Sequence, residues 1–136
     1  MTWNVTPSRE EIGFLLETSL IYRDSGRFTQ AREVLAGLRA LLPQNDAVIV
    51  VLGTVSFQQG DFDAAERQYK QALEFNPRSA YAYAHLGELE LFRNNKEKAA
   101  KYLKEAIKLD PRGVYGTLAR SLLEFGEVVQ YKESVD

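Results

Sequence analysis

The sequence predicts an all-α solenoid built from three helix-turn-helix repeats, an N-terminal cap turn and a C-terminal capping helix. Three observations support this fold class. Pro43, Pro77 and Pro111 are spaced 34 residues apart. Small residues recur with the same period, in two series: Ala31, Ala65 and Ala99, and Gly26, Gly60 and Asn94. Between these markers, apolar residues follow two helical runs in each period, the pattern expected of stacked helix pairs.

Length and composition limit the possible classes of protein. The chain has 136 residues, of which 45% are hydrophobic, and a formal net charge of -2. This predicts a single domain spanning residues 1–136. A slightly acidic protein has no overall basic field that would attract nucleic acid or anionic lipid. The sequence contains no cysteine, which excludes disulfides, thiolate metal sites and thiol nucleophiles.

The same period predicts the boundaries of the repeats. Repeat 1 is expected at about 12–45, repeat 2 at about 46–79 and repeat 3 at about 80–113, followed by a capping helix at about 114–132. Ser8 and Glu11 form a capping-box pattern at the start of the first helix. In repeat 2, Gly60 can adopt the left-handed conformation that ends a helix, and Asp61 can cap the next helix.

These residues resemble the tetratricopeptide repeat, a family of helical protein-binding modules. The resemblance covers about residues 12–111. Its positions in repeats 2 and 3 are Leu52, Gly53, Gly60, Ala65, Tyr69, Ala72 and Pro77, then Tyr83, Leu86, Gly87, Ala99, Ala106 and Pro111. Repeat 1 departs from the pattern at its start, where Thr18 and Ser19 replace the expected Leu and Gly. The resemblance implies a right-handed superhelix whose concave wall comes mostly from the first helix of each repeat.

By the same resemblance, candidate partner-binding residues lie on these first helices, on the side away from the paired helix. They are Leu16, Leu20, Arg23, Val50, Thr54, Phe57, Tyr81, Ala84, His85, Glu88 and Leu91. For Leu16, and for Val51 next to Val50, the alternative is a place in the core. Tyr81, Phe57 and Leu20 are large side chains at positions that normally face the groove, which favours a binding role for them.

The composition of the wall predicts the kind of partner. Some tetratricopeptide proteins hold an acidic C-terminus through a clamp of Lys, Asn and Arg, because a carboxylate needs positive charge and paired donors. The matching positions here are occupied by Leu16, Leu20, Val51, Tyr81 and His85. The wall therefore favours a hydrophobic or amphipathic segment of another protein, helical or extended.

No catalytic or metal-binding pattern appears in the sequence. His85 is the only histidine, and the residues four positions away, Tyr81 and Leu89, are not metal ligands. The sequence has no Gly-rich phosphate loop and no set of residues that His85 could complete as a catalytic site. We expect no enzymatic activity, no cofactor and no bound metal. The lysines within residues 96–108 are expected to form a solvated outer face, with a docking patch as the alternative.

The sequence thus predicts a protein-protein interaction module that acts as a chaperone or adaptor for one partner. More loosely, its size and the segment 15–28 resemble the small tetratricopeptide chaperones of bacterial type III secretion, which keep an export substrate soluble. Two alternatives are a scaffold subunit of a multi-protein assembly and a homodimer formed through the C-terminal helix. No secretory signal or membrane-spanning run is visible, so a cytoplasmic location is expected.

Overall fold

A computed structural model of the chain describes the backbone of residues 6–135 and the side chains of residues 6–127. Within this part of the chain, all regular secondary structure is helical. The helices are α1 (Arg9–Asp24), α2 (Phe28–Leu41), α3 (Asp46–Gln58), α4 (Phe62–Phe75), α5 (Ala80–Phe92), α6 (Lys96–Leu109) and α7 (Val114–Val135). None of these described helices is both long enough and apolar enough to cross a membrane.

The order of the helices confirms the predicted fold class. The helices α2, α4 and α6 begin at Phe28, Phe62 and Lys96, and so follow the 34-residue period of the sequence. In each repeat the first helix packs against the second, which makes three helix-turn-helix pairs. α7 follows the third pair as the capping helix. It extends to Val135, slightly beyond the predicted end.

Local sequence signals set the ends of the helices. The Ser8 Oγ atom accepts a hydrogen bond from the Glu11 N–H at 3.1 Å, which is one half of the predicted capping box. Gly60 has a φ of 82° in the turn after α3, which is the left-handed conformation expected there. The Asp61 Oδ1 atom accepts a hydrogen bond from the Ala64 N–H at 3.1 Å and so caps α4. These bonds satisfy N–H groups that a helix leaves without an intrahelical partner.

The chain forms two compact units, an N-terminal unit (Met1–Phe75) and a C-terminal unit (Asn76–Asp136), each with its own core. In the N-terminal unit, α3 packs against α1, α2 and α4. Every residue from 48 to 56 is buried, since this part of α3 is apolar on nearly all sides. α3 is therefore the central helix of this unit.

Gly53 allows α3 to approach α4 closely. A Cβ atom at this position would lie 2.7 Å from Cδ1 of the fully buried Tyr69 ring. We expect Gly53→Ala to lower the free energy of unfolding by about 1–3 kcal/mol, because the buried Tyr69 ring or one of the two helices must shift to make room for the new methyl group. Urea unfolding would measure this change.

Gly37→Ala in α2 is the matched control for this substitution. Apart from its adjacent residues and the nearby backbone of α2, no atom lies within 4 Å of the Cβ position at Gly37, and the residue is exposed. Alanine should therefore stabilise α2 by roughly 0.5–1 kcal/mol through its higher helix propensity. If the two variants unfolded at the same urea concentration, the close contact between Gly53 and Tyr69 would be contradicted.

In the C-terminal unit, α7 packs against both α5 and α6. The buried cluster consists of Ala84 from α5, Leu103 and Ala106 from α6, and Ala119 from α7. Partly buried apolar side chains surround it, among them Tyr83, Leu91, Ile107, Tyr115, Leu118, Leu122 and Leu123. α7 therefore completes the core of the last repeat, which is the main role that the sequence predicts for it.

Candidate partner-binding surface

In the N-terminal unit, three of the candidate wall residues lie at an accessible surface. Leu16 and Leu20 are half-buried on α1, and Phe57 is half-buried near the end of α3. The Phe57 ring stacks on Phe62, the first residue of α4, with the ring centroids 5.2 Å apart. These side chains lie on helices and keep part of their surface accessible to a partner.

Arg23 has a structural role in the same unit. Its Nη1 atom donates a hydrogen bond to Thr54 Oγ1 at 2.8 Å, which connects α1 to α3. Its Nε atom donates to Asp24 Oδ1 at 2.9 Å. The hydrogen bond and the positive charge of Arg23 lower the pKa of the Asp24 carboxyl group. The guanidinium group of Arg23 already donates hydrogen bonds to Thr54 and Asp24. It therefore has fewer donors left for a partner than its position in the sequence implies.

Three candidate wall residues lie in the core, and for these the sequence-based assignment needs correction. Val50 and Thr54 are buried because α3 is enclosed by α1, α2 and α4. Ala84 is buried because α7 covers this part of α5. Val51 is buried as well, which places it in the core, one of its two expected locations. A partner cannot reach these side chains without displacing a helix.

In the C-terminal unit, the candidate residues form an aromatic strip with a polar end. Tyr81 on α5 stacks on Tyr115 of α7, with ring centroids 4.6 Å apart and an interplanar angle of 19°. The His85 ring lies edge-on to Tyr81 at 5.0 Å. Its Nδ1 atom is 3.3 Å from Glu88 Oε1. Tyr81, His85 and Glu88 are all half-buried, so the strip is accessible to a partner.

Leu91, the last candidate residue, lines a separate cleft of about 290 Å³ in the C-terminal unit. Ala100, Leu103 and Leu123 form apolar parts of this cleft, and charged side chains from α6 and α7 line it as well. Leu91 is half-buried and packs against the core cluster. Its apolar surface is therefore shared between the core and the cleft.

The sequence interpretation missed the contribution of α7 to this surface. Tyr115 and Phe125 lie 34 residues after Tyr81 and Leu91, so α7 occupies the position of a first helix in a further repeat. Tyr115 contacts Tyr81 directly, and Phe125 is largely exposed. Extending the 34-residue period one step beyond Pro111 would have predicted that α7 contributes to this surface.

The chemistry offered by these surfaces is that of a binding site. Aromatic and aliphatic faces dominate, and His85 with Glu88 provides the polar element. Such a surface can bury apolar area and form a few orienting hydrogen bonds with another chain. Among the described residues, no group of three or more His, Asp or Glu side chains is placed to hold a metal ion.

Comparison with protein-family models gives two matches, both described as tetratricopeptide repeat. One covers residues 22–68 and the other covers residues 50–114. Together they span residues 22–114, which is more than half of the chain.

Solved structures with the same fold include proteins that were determined with bound peptides. The Yersinia enterocolitica type III secretion chaperone SycD, in complex with a peptide of the translocator YopD, has a TM-score of 0.70 and 20% identity, over 90% of this chain and 97% of that chain. PcrH in complex with the chaperone binding region of PopD has a TM-score of 0.71 and 16% identity, over 93% and 96%. The first tetratricopeptide domain of Spaghetti (RPAP3), bound to the HSP90 peptide SRMEEVD, has a TM-score of 0.74 and 18% identity, over 92% and 99%.

Proposed function

The chain belongs to the tetratricopeptide repeat family, and from this premise we propose that it binds a hydrophobic or amphipathic segment of a partner protein, as a chaperone or adaptor. The observation that carries this proposal is the set of half-buried apolar side chains on the first helices of the repeats. Leu16, Leu20 and Phe57 provide it in the N-terminal unit, and Tyr81 and Tyr115 provide it in the C-terminal unit.

The composition of these surfaces favours one kind of peptide over another. The HSP90 peptide SRMEEVD of the Spaghetti complex is acidic, and an acidic peptide needs cationic or amide donors. Here Leu16, Leu20, Tyr81 and His85 occupy the wall, and Arg23 is already bonded to Thr54 and Asp24. An apolar segment gains more from this surface, since aromatic side chains bury large areas at low entropic cost. The proposed role therefore resembles that of SycD and PcrH, which hold peptides of a translocator and of PopD.

Two further elements of the proposal concern activity and location. The helical repeats hold a partner and do no chemistry on it, in keeping with a family of interaction modules. We place the protein in the cytoplasm, where a chaperone would meet a newly made partner. Cell fractionation with an antibody against the chain would test the location.

Substitution of the N-terminal surface should abolish binding. In Leu20→Glu combined with Phe57→Glu, two carboxylates replace apolar contacts. We expect a loss of at least several kcal/mol of binding free energy, because a charge would be desolvated against an apolar partner. Affinity capture from native lysate, with quantitative mass spectrometry, compares the double variant with the natural chain. Circular dichroism melting confirms that the variant is folded.

Ala36→Glu combined with Ala40→Glu is the control for this experiment. Both residues are exposed on α2, so the variant gains the same charge away from the proposed surface. It should capture the same partner as the natural chain. If the Leu20/Phe57 variant captured that partner equally well, the proposed surface would be wrong.

Two alternatives make different predictions about stoichiometry. A scaffold subunit would hold at least two partners at once, whereas the proposed chaperone forms a complex with one. Self-association through the C-terminal helix would use residues such as Leu122, which is half-buried. On the same helix Phe125 is largely exposed, whereas Val129 lies outside the residues whose side chains are described. Light scattering of the natural chain and of Leu122→Glu separates this alternative from a monomer.

A further inference from the structure

The outer face of α1 exposes two large apolar side chains that no described helix covers. Phe14 is 68% exposed and Ile21 is 66% exposed. They are seven residues apart, so they lie on the same side of α1 about two turns from each other. We call the surface formed by Phe14, Ile21, Glu10, Glu11 and Glu17 the outer face of α1. It goes beyond the surface proposed above, whose α1 residues Leu16 and Leu20 point in a different direction around the helix.

Three carboxylates border these apolar side chains. Glu10, Glu11 and Glu17 are exposed and form no ion pair with any described residue, whereas Asp24 on the same helix is paired with Arg23. Glu10 and Glu11 lie in the first turn, where the helix dipole favours a negative charge. Glu17 lies in the middle of α1, where the dipole gives no such benefit. The helix dipole therefore accounts for the positions of Glu10 and Glu11 but not for that of Glu17.

A shallow cleft lies at the start of this face. It has a volume of about 350 Å³ and is lined by Glu10, Glu11, Phe14 and Leu15. Its walls thus combine apolar surface with two carboxylates. This combination suits the side chain of Lys or Arg, whose aliphatic part can lie on Phe14 and Leu15 while its charged end reaches the carboxylates.

Charge opposes the antiparallel pairing of this face with a second copy of the chain. In a two-fold antiparallel pairing of α1 with itself, Phe14 would contact Ile21 of the other copy. The symmetry axis would then pass close to Glu17, and the two Glu17 carboxylates would meet. Like charges at that distance oppose association. The outer face of α1 therefore disfavours a second copy of the chain and favours a cationic partner.

We propose that the outer face of α1 is a second docking surface, which binds a cationic amphipathic helix of a partner protein. Apolar side chains of that helix cover Phe14 and Ile21. Its lysines or arginines pair with Glu10, Glu11 and Glu17, and one of them occupies the cleft. This mode is a helix laid against a helix face, with charge setting the choice of partner.

The test uses two designed peptides with identical leucine spacing, one with lysine and one with glutamate at all polar positions. We expect the Leu/Lys peptide to bind the full chain and to shift the backbone NMR signals of residues on the outer face of α1. The Leu/Glu peptide should not bind. In Phe14→Ser combined with Ile21→Ser, affinity should fall by roughly tenfold or more, because the contact area is lost.

A matched pair of charge variants distinguishes a local effect from an effect of net charge. Glu10→Gln, Glu11→Gln and Glu17→Gln together should weaken binding of the Leu/Lys peptide by roughly tenfold at low salt and reduce its salt dependence. Glu33→Gln, Glu74→Gln and Glu97→Gln change the net charge equally at exposed positions on other helices, and should leave the affinity unchanged.

Three results would overturn the proposal. The first is equal weakening in both charge variants, which would mean that net charge alone attracts the peptide. The second is a set of NMR shifts centred on Leu20, Phe57 or Tyr81, which would place the peptide at the surface already proposed. The third is a dimer of the natural chain in sedimentation equilibrium that the Phe14/Ile21 variant abolishes.

Discussion

Ala84→Glu should unfold the C-terminal unit, although a family resemblance assigns this position to a binding wall. Ala84 is 0% exposed and packs with Leu103, Ala106 and Ala119. A carboxylate here would be buried without a partner, or α7 would have to leave α5. Burial of an unpaired charge costs at least several kcal/mol, which is a large part of the roughly 5–15 kcal/mol that stabilises a typical domain.

Far-UV circular dichroism and thermal melting measure this effect. Phe92→Glu provides the control, because it adds the same charge to the same helix at a residue that is 64% exposed. Its stability should stay within about 0.5 kcal/mol of the natural chain. If Ala84→Glu melted like Phe92→Glu and lost only partner binding, then Ala84 would line the wall in solution and the burial described above would be contradicted.

The helices and turns could be predicted because their signals are local. The Ser8 cap depends on residues that are three positions apart, and so does the Asp61 cap. The Gly60 turn requires only a residue that tolerates a φ of 82°. The 34-residue period then repeats these short signals along the chain, so that one well-defined repeat indicates the boundaries of the others.

The candidate surface could be predicted only in part, because burial depends on what covers a helix face. At the 34-residue period Val50 matches Leu16 and Thr54 matches Leu20, so the sequence treats the two members of each pair alike. The structure separates the members of each pair, since α3 packs against α1, α2 and α4 whereas α1 has an open side. The periodicity of a single helix carries no information about the neighbouring helix that encloses it. For the same reason, the exposure of Phe14 and Ile21 was not anticipated.

Gly116→Ala should weaken the attachment of α7 to the last repeat. A Cβ atom at Gly116 would overlap the carbonyl oxygen of Asp110 and lie 2.9 Å from its carbonyl carbon. These are backbone atoms at the end of α6, so they cannot rotate away as the end of a side chain can. The start of α7 must therefore move away from Asp110.

This movement would also break the cap of α7. The Asp110 Oδ2 atom accepts hydrogen bonds from the N–H groups of Tyr115 at 3.1 Å and Gly116 at 3.4 Å. We expect a combined loss of about 2–4 kcal/mol, from overpacking and from the lost cap. Hydrogen exchange should show faster exchange throughout α7, and the melting temperature should fall by roughly 10 °C or more.

Gly126→Ala tests whether the loss of stability comes from the contact of residue 116 with Asp110, rather than from replacing any glycine of α7 by alanine. It makes the same change in the same helix, but its Cβ atom would meet only the Cδ2 atom of Leu91, at 3.1 Å. This side-chain end can shift by a few tenths of an ångström, and the gain in helix propensity of up to about 1 kcal/mol opposes the remaining strain. Near-natural stability of Gly126→Ala beside a destabilised Gly116→Ala would show that α7 is held at its first turn. Equal stability of the two variants would mean instead that the Asp110 contact does not fix the helix, and that the Tyr81–Tyr115 stack and the Ala119 cluster hold it in place.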